Sequence, residues 1–334
     1  MTPSQASSQT QPEVQDMQQR VRVGTDTLFK DLVMAGAGPY QGSLTGALNQ
    51  YFAAILPRKT GYSSPDPSTS AFSDRITTTY VPNTYTQTTI SSSMPPQSAE
   101  LKVNFDATQA GCPNDGACGF VEGDEVLIFD RSGHFDTFTI THVQESANHL
   151  QHRGQDLSYE YQPGAVILKV KAYSYYLDTT AHQLMRYDGG DDVPTPVVDN
   201  VVALQFDYYG DPDTTWLPKP PAGQTSCVYP DGTTLVTGLY SAPSSTVDGS
   251  MAKFPLSAFT DGPWCGSGSN AFDADLLRIR KLKMTIRVQT PLAALRGQDR
   301  NLFRIPGTSR SGQQMVPDLT AALEVSPRNM NLSR

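Results

Sequence analysis

Carboxylates and cysteines are the residues of this chain whose types and spacing invite a chemical reading. Glu122, Asp124 and Glu125 lead into an apolar run, Asp188, Asp191 and Asp192 sit in DGGDD, and Asp261, Asp273 and Asp275 flank Cys265. Paired acids do the acid–base work of glycoside hydrolysis, and acids combined with carbonyl oxygens hold Ca2+. Asp and Gly are also what turns select, because an Asp side chain bonds its own backbone two residues on. For the second and third groups the turn reading is preferred. It leaves Asp188, Asp191, Asp192, Asp261, Asp273 and Asp275 as weak Ca2+ candidates, with no catalytic residue assigned and no other cofactor expected.

The other reactive types give less. There are five histidines. His134 and His142 flank a strand-like run, and eight residues of strand span about 26 Å, too far to share one ion. His149 and His152 lie in a polar stretch and His182 in a hairpin turn, so all five are read as surface groups. Gly266–Asn270 reads GSGSN and lacks the last glycine of a nucleophile elbow. No P-loop, HExxH or EF-hand pattern occurs. The chain is therefore read as a non-enzyme.

Four cysteines remain. Cys112 and Cys118 enclose PNDGA, while Cys227 and Cys265 bracket a long Gly/Ser/Pro-rich stretch. Without CxxC or a nearby histidine at ligand spacing, disulfides are preferred over metal. The pairing read is 112–118 and 227–265, one of the three that four cysteines allow. Oxidised cysteines place a protein outside the cytoplasm.

Those residues need elements to hold them. Of the 334 residues, 38% are hydrophobic and only 17% charged, with 26 glycines and 25 prolines, a turn-rich and strand-rich composition. The net charge of −8 argues against nucleic acid, which selects clustered Lys and Arg. The one basic run, Arg278, Arg280, Lys281 and Lys283, alternates with apolar residues and reads as the solvent side of a strand. Residues 1–12 are polar, carry no apolar signal segment and read as disordered. Val14, Met17, Val21, Leu28 and Leu32 form a helical stripe. It predicts an amphipathic helix over 13–36, opened by Pro12 and stopped by Gly36, Gly38 and Pro39. A second helix is predicted over Leu44–Ile55.

After residue 70 the period falls to two. Strands are predicted over Arg75–Val81, Leu101–Phe105, Glu125–Phe129, Phe135–Val143, Ala165–Tyr176, Gln183–Tyr187, Val201–Tyr209, Leu276–Gln289 and Ala321–Val325. Residues 210–262 read as a loop-rich insertion tied by Cys227 and Cys265. Tyr173, Tyr175, Tyr176, Phe206, Tyr208 and Tyr209 are core aromatics or, less favoured, a binding platform. One long helix followed by antiparallel strands is an α+β pattern, with 37–334 forming one β-rich head.

Residues 13–42 resemble the part of helix one that follows the membrane span in PilW-like minor pilins of type IV pili, and in J-type minor pseudopilins of type II secretion. Their Q-x-x-x-R-x-x-x-x-x-L-x-x-D-L-x-x-A-G run is matched by Gln18, Arg22, Leu28, Asp31, Leu32, Ala35 and Gly36. Residues 184–212, 273–290 and 324–334 are similar to later strands of that family. The leader, the Gly-Phe-Thr-Leu-Ile-Glu motif and the apolar half-helix of the family do not occur here, which reads as a soluble domain lacking its N-terminal membrane helix. The resemblance implies a pilin-like fold and a non-catalytic subunit that primes filament assembly or sits at the filament tip. Other minor pilins or pseudopilins would be its partners, with Gln18, Arg22 and Asp26 as subunit contacts. It further implies anchoring in the inner membrane and a periplasmic or cell-surface location. The alternative is a secreted β-rich adhesion or carbohydrate-binding module.

Overall fold

The computed structural model describes residues 3–38, 52–61, 63–82, 86–104, 118–189, 193–214, 217, 219–220, 222–248, 250–310 and 313–331. Among them one α-helix, Pro3–Met34, precedes nothing but strands and short 3-10 turns. At 1.5 Å per residue it is about 48 Å long.

Two five-stranded antiparallel sheets receive it. The first runs in the order Ile55–Leu56, Arg75–Tyr80, Lys171–Asp178, Gln183–Tyr187, Thr195–Asp199. Its last strand carries Pro196 at the sheet edge, where a missing N–H costs no ladder bond. The second runs Val247–Asp248, Met251–Phe254, Val201–Gly210, Ile279–Val288, Leu319–Val325. Asn200, in the left-handed region at φ 58°, is the whole link from one sheet to the next. The Phe206 N–H donates to the Ser73 carbonyl and ties the two together.

The helix lays Met17, Leu28, Leu32 and Ala35 into a core shared with Leu184, Val198, Ile286 and Val288. Gly24 permits the approach: a Cβ there would stand 3.0 Å from Ile286 Cδ1. Asp31, buried on the same face, accepts from the Tyr175 hydroxyl at 2.5 Å and the Tyr80 hydroxyl at 3.3 Å, with Arg186 at 3.9 Å. Gly36, at φ +76°, ends the helix as the sequence predicts, and its N–H donates to Thr79 of the first sheet.

Several expectations are corrected. The helix begins at Pro3 instead of Glu13, so residues 3–12 are helical, not disordered, and Pro12 lies inside. Proline removes one ladder bond there, but the Gln-, Ala- and Ser-containing turns before it still form helix. Val14 shares the stripe's angle yet is 40% exposed, because the sheet stops short of it. Its neighbour Glu13 already bonds Thr290, beyond the strand end. Of the second helix, 44–51 lie outside the described residues, and Ile55 belongs to a strand. The expected strand 165–176 is two strands that switch sheets at Val170. The expected strand 135–143 breaks at Ile140–Thr141 in the same way.

The head is also not one body of sheet. Positions 81–170 are inserted between two strands that pair with each other, Arg75–Tyr80 and Lys171–Asp178. This module holds a four-stranded sheet (Gln87–Thr89, Val166–Lys169, Glu125–Phe129, Phe135–Thr139) and a three-stranded one (Glu100–Lys102, His149–Gln151, His142–Gln144). Leu101, Phe120, Phe138, Leu150 and Tyr161 lie in its own core. Strand Glu125–Phe129 is the shared wall: Val126 and Ile128 face the module core, Leu127 and Phe129 the main core. Burial on both faces explains its unbroken apolar run, VLIF.

Candidate functional site

The residues expected to do chemistry gather in two places. The first is the turn after the second sheet's short strands. Here Asp261, Asp273 and Asp275 present carboxylate oxygens within 4.8 Å of one another. Asp273 is wholly buried, and burial pushes its carboxyl up to about 6. Its oxygens accept from the N–H groups of Asp275 (2.9 Å), Gly262 (2.7 Å) and Asp261 (3.2 Å). Asp275 is also buried and raised by burial, against the Tyr240 N–H at 2.9 Å and the Arg278 guanidinium at 2.5 Å. The sequence brings these three acids together as expected, and the two buried ones are already fully engaged in holding the turn.

Arg278 explains that arrangement and corrects the sequence reading. It is not on a solvent face: it and Arg280 are almost completely buried, while Lys281 and Lys283 lie part-exposed on the opposite face. Arg278 donates to the carbonyls of Asp211 (3.0 Å), Pro212 (2.7 Å) and Tyr240 (2.5 Å). Arg280 pairs with Asp211 at 2.8 Å. Residues 211–246 carry no strand among those described and little 3-10 turn, so buried charge anchors a stretch that little secondary structure holds. The Cys227–Cys265 bridge, with Cα atoms 5.2 Å apart, adds a covalent tie. Residues 247–248 and 251–254, placed by the sequence within the insertion, are instead strands of the second sheet, the first at its edge and the second beside Val201–Gly210. Cys118 is disulfide-bonded as well, while Cys112 lies outside the described residues.

The second place is a cleft of about 320 Å³ where the inserted module meets the first sheet and the loop after Cys265. Phe52, Leu56, Phe138 and Val170 form apolar wall; Arg58, Asp66, Glu125, Asp156 and Asn270 supply the polar groups. Burial lowers the Arg58 guanidinium to about 10, and it donates to the Ser68 and Ala271 carbonyls. Asp66 accepts from Arg75 at 2.8 Å and from the Lys59 N–H at 2.6 Å. Asn270 bridges Asp136 and Thr137, both at 2.9 Å. Glu125 Oε2, in contrast, is buried with no hydrogen-bond partner among the described residues. Burial pushes this carboxyl up to about 8, aided by Asp188 and opposed by the Ala172 backbone and Lys171.

That contact places half of the DGGDD expectation. A Cβ on Gly189 would lie 3.1 Å from Glu125 Oε2, so the Asp188–Gly189 turn closes on the cleft, while Asp191 and Asp192 lie outside the described residues. The neighbours of Glu125 in sequence go elsewhere: Asp124 pairs with Lys169 at 2.5 Å, and Glu122 stands exposed by His142. His152 corrects the surface reading of the histidines, being fully buried against Phe138. Tyr175, Phe206 and Tyr208 are core, as preferred. The part-exposed rings of Tyr173, Tyr176 and Tyr209 each lie under a cation, from Arg186, Lys59 and Lys281. Gln18, Arg22 and Asp26 are on the helix face turned away from the sheets, the last two 3.6 Å apart. Arg58 and Asn270 carried no sequence signal as cleft residues, since their partners lie far along the chain.

Among the described residues no helix is long and apolar enough to cross a membrane. No family model matches the chain, and no curated protein matches it. Among solved structures it is similar to a type IV-like pilin from Thermus thermophilus at 11% identity, covering 63% of this chain and 87% of that one with a TM-score of 0.21, a likeness too low to argue from.

Proposed function

We propose that this chain is a non-catalytic, pilin-like structural subunit that primes assembly of, or sits at the tip of, a type IV pilus or a type II secretion pseudopilus. In this reading an apolar half-helix encoded ahead of it anchors the subunit in the inner membrane before assembly, and the head works in the periplasm or at the cell surface. Its partners are other minor pilins or pseudopilins and filament subunits. The observation that carries the reading is the two-faced helix. Leu28, Asp31, Leu32 and Ala35, four of the residues that resemble the pilin run, are buried against the sheets. Gln18 and Arg22, two more, are left open beside Asp26 and the exposed side chains of Val23 and Phe29. A helix held by one face leaves the other for neighbouring subunits.

Co-expression with the pilin-like subunits encoded beside it tests this. A stoichiometric complex is expected on size-exclusion chromatography, weakened by Arg22→Glu, whose side chain has nothing to hold in the isolated fold beyond an exposed pair with Asp26. A chain that stays monomeric with every such partner would sink the reading.

A further inference from the structure

The cleft between module and sheet has the makings of a ligand site that the filament reading does not use. A buried polar atom without a partner is rare in folded proteins and calls for a specific occupant. Glu125 Oε2 is such an atom, and it lines a cavity of about 320 Å³, within the usual size of small-molecule pockets. The other charged groups of the wall divide into two kinds. Arg58 and Asp66 are committed to partners inside the protein. Glu125, with its buried Oε2 unpartnered among the described residues, and the exposed Asp156 are the acids left to line the space. What the cleft lacks is therefore a positive donor. Phe52, Leu56, Phe138 and Val170 offer apolar wall for the body of such a molecule.

We propose that this cleft binds a small primary amine, its ammonium group donating to the Glu125 carboxylate and its carbon skeleton lying on the Phe138 side. An ammonium matches the site better than a hydroxyl. It supplies both the missing hydrogen and the charge that stabilises an ionised carboxylate out of water, and charge-assisted hydrogen bonds are about twice as strong as neutral ones. The same ammonium displaces the proton that burial favours on Glu125 in the empty cleft. A hard divalent ion is less suited: among the described residues no third acid stands with Glu125 and Asp188.

Matched pairs of probes test the proposal on the whole chain by titration calorimetry. These are glucosamine against glucose, and ethanolamine against ethylene glycol. One or both amines are expected to bind saturably at one site, with the neutral partner at least about tenfold weaker, the discrimination of one hydrogen bond to a charged group. Glu125→Gln keeps the shape of the neutral acid and removes the charge. It is expected to cost amine binding about tenfold or more while leaving the melting temperature equal or higher. Asp156→Asn, an exposed change that leaves the fold alone, is expected to cost two- to threefold. Amide shifts in the wild-type NMR spectrum should move around Glu125, Gly189 and Asn270. Equal binding of amine and neutral partner, no binding of either amine, full amine affinity in Glu125→Gln, or Glu125-dependent binding of Ca2+ alone would each overturn the proposal. None of these outcomes bears on filament assembly, so the two readings fail separately.

Discussion

The helix-bearing frame and the inserted module are both antiparallel sheet around an apolar core, yet they are closed in different ways. In the module, the hairpins Glu125–Phe129 with Phe135–Thr139 and His142–Gln144 with His149–Gln151 are closed by returning strands, His149–Gln151 on Glu100–Lys102 and Val166–Lys169 on Gln87–Thr89 and Glu125–Phe129. The frame has hairpins too, but its two central pairings enclose whole folded segments. Arg75–Tyr80 meets Lys171–Asp178 only across the whole module, and Val201–Gly210 meets Ile279–Val288 only across the disulfide loop. Each such closure carries a loop-entropy cost that local hairpins avoid. The buried polar groups follow the same division. The frame's main ties use charged groups and join distant segments, as in the Tyr175 hydroxyl donating to Asp31 or the Arg280–Asp211 ion pair. In the module, Asp136 serves Tyr161 and Ser158 close by in sequence, and its bond to Asn270 is a tie out to the loop. Buried arginines carry the frame's distant ties, while the module relies on the Asp136 bonds and on one lysine pair, Lys169 with Asp124.

The sharpest way to break this comparison is Arg278→Ala. It removes donors from three carbonyls and leaves Asp275 buried without its cation. Breaking one side of a buried pair costs about 3–5 kcal/mol. Urea denaturation should show that loss, and limited proteolysis should show cutting within 211–246 before any cutting in the module. Simultaneous cleavage in both would mean that Arg278 does not act on the loop in particular.

A second test uses the shared wall. Leu127→Ala and Ile128→Ala are adjacent, both fully buried, and remove the same kind of volume from opposite cores. Each should cost about 2–4 kcal/mol. Hydrogen exchange should tell them apart: Ile128→Ala loosens the module's hairpins with the helix face still protected, whereas Leu127→Ala loosens amides on both sides. Identical exchange maps would mean that the two cores are one cooperative unit and that the distinction drawn above has no energetic content.

How much of this was legible in the sequence follows from the same contrast. The helix stripe, its Gly36 stop and the long strands of the frame were readable, because Val201–Gly210 and Ile279–Val288 alternate over most of their ten residues. The insertion at 81–170 was not, since nothing local marks Tyr80 and Lys171 as partners. Three-residue strands such as Gln87–Thr89 are too short to show a period. Arg278 and Arg280 were misjudged because charge at strand period reads as a wet face, and only the returning Asp211–Pro212 segment makes burial affordable. Of the sites, the Asp261–Asp273–Asp275 grouping was visible as spacing. The role of Glu125 was not, because its cleft is assembled from segments around positions 58, 125, 189 and 270.

The mildest prediction sets the module against the frame through pH. His152 is fully buried, and its Nδ1 lies 2.7 Å from the Gln155 carbonyl, an acceptor, so Nδ1 carries the hydrogen and Nε2 is bare, without a partner among the described residues. Burial lowers this imidazole below its ordinary value of 6.5, against the pull of the Gln155 carbonyl, Asp156 and Asp136. The sign follows: the unfolded chain takes up a proton near 6.5 that the folded module refuses, so stability falls as pH drops below that point. Each tenfold rise in acidity then costs at most about 1.4 kcal/mol from this group until the folded ring also titrates. Exchange at pH 5 against pH 7 should show loss of protection around His149–Gln151 and Phe135–Thr139, with the frame strand Ile279–Val288 unchanged once the intrinsic rate is corrected. His152→Gln should flatten the module's response. If acid instead loosens Ile279–Val288 first, the ionic ties of the frame are its weak point, and the order of the two regions proposed above is reversed.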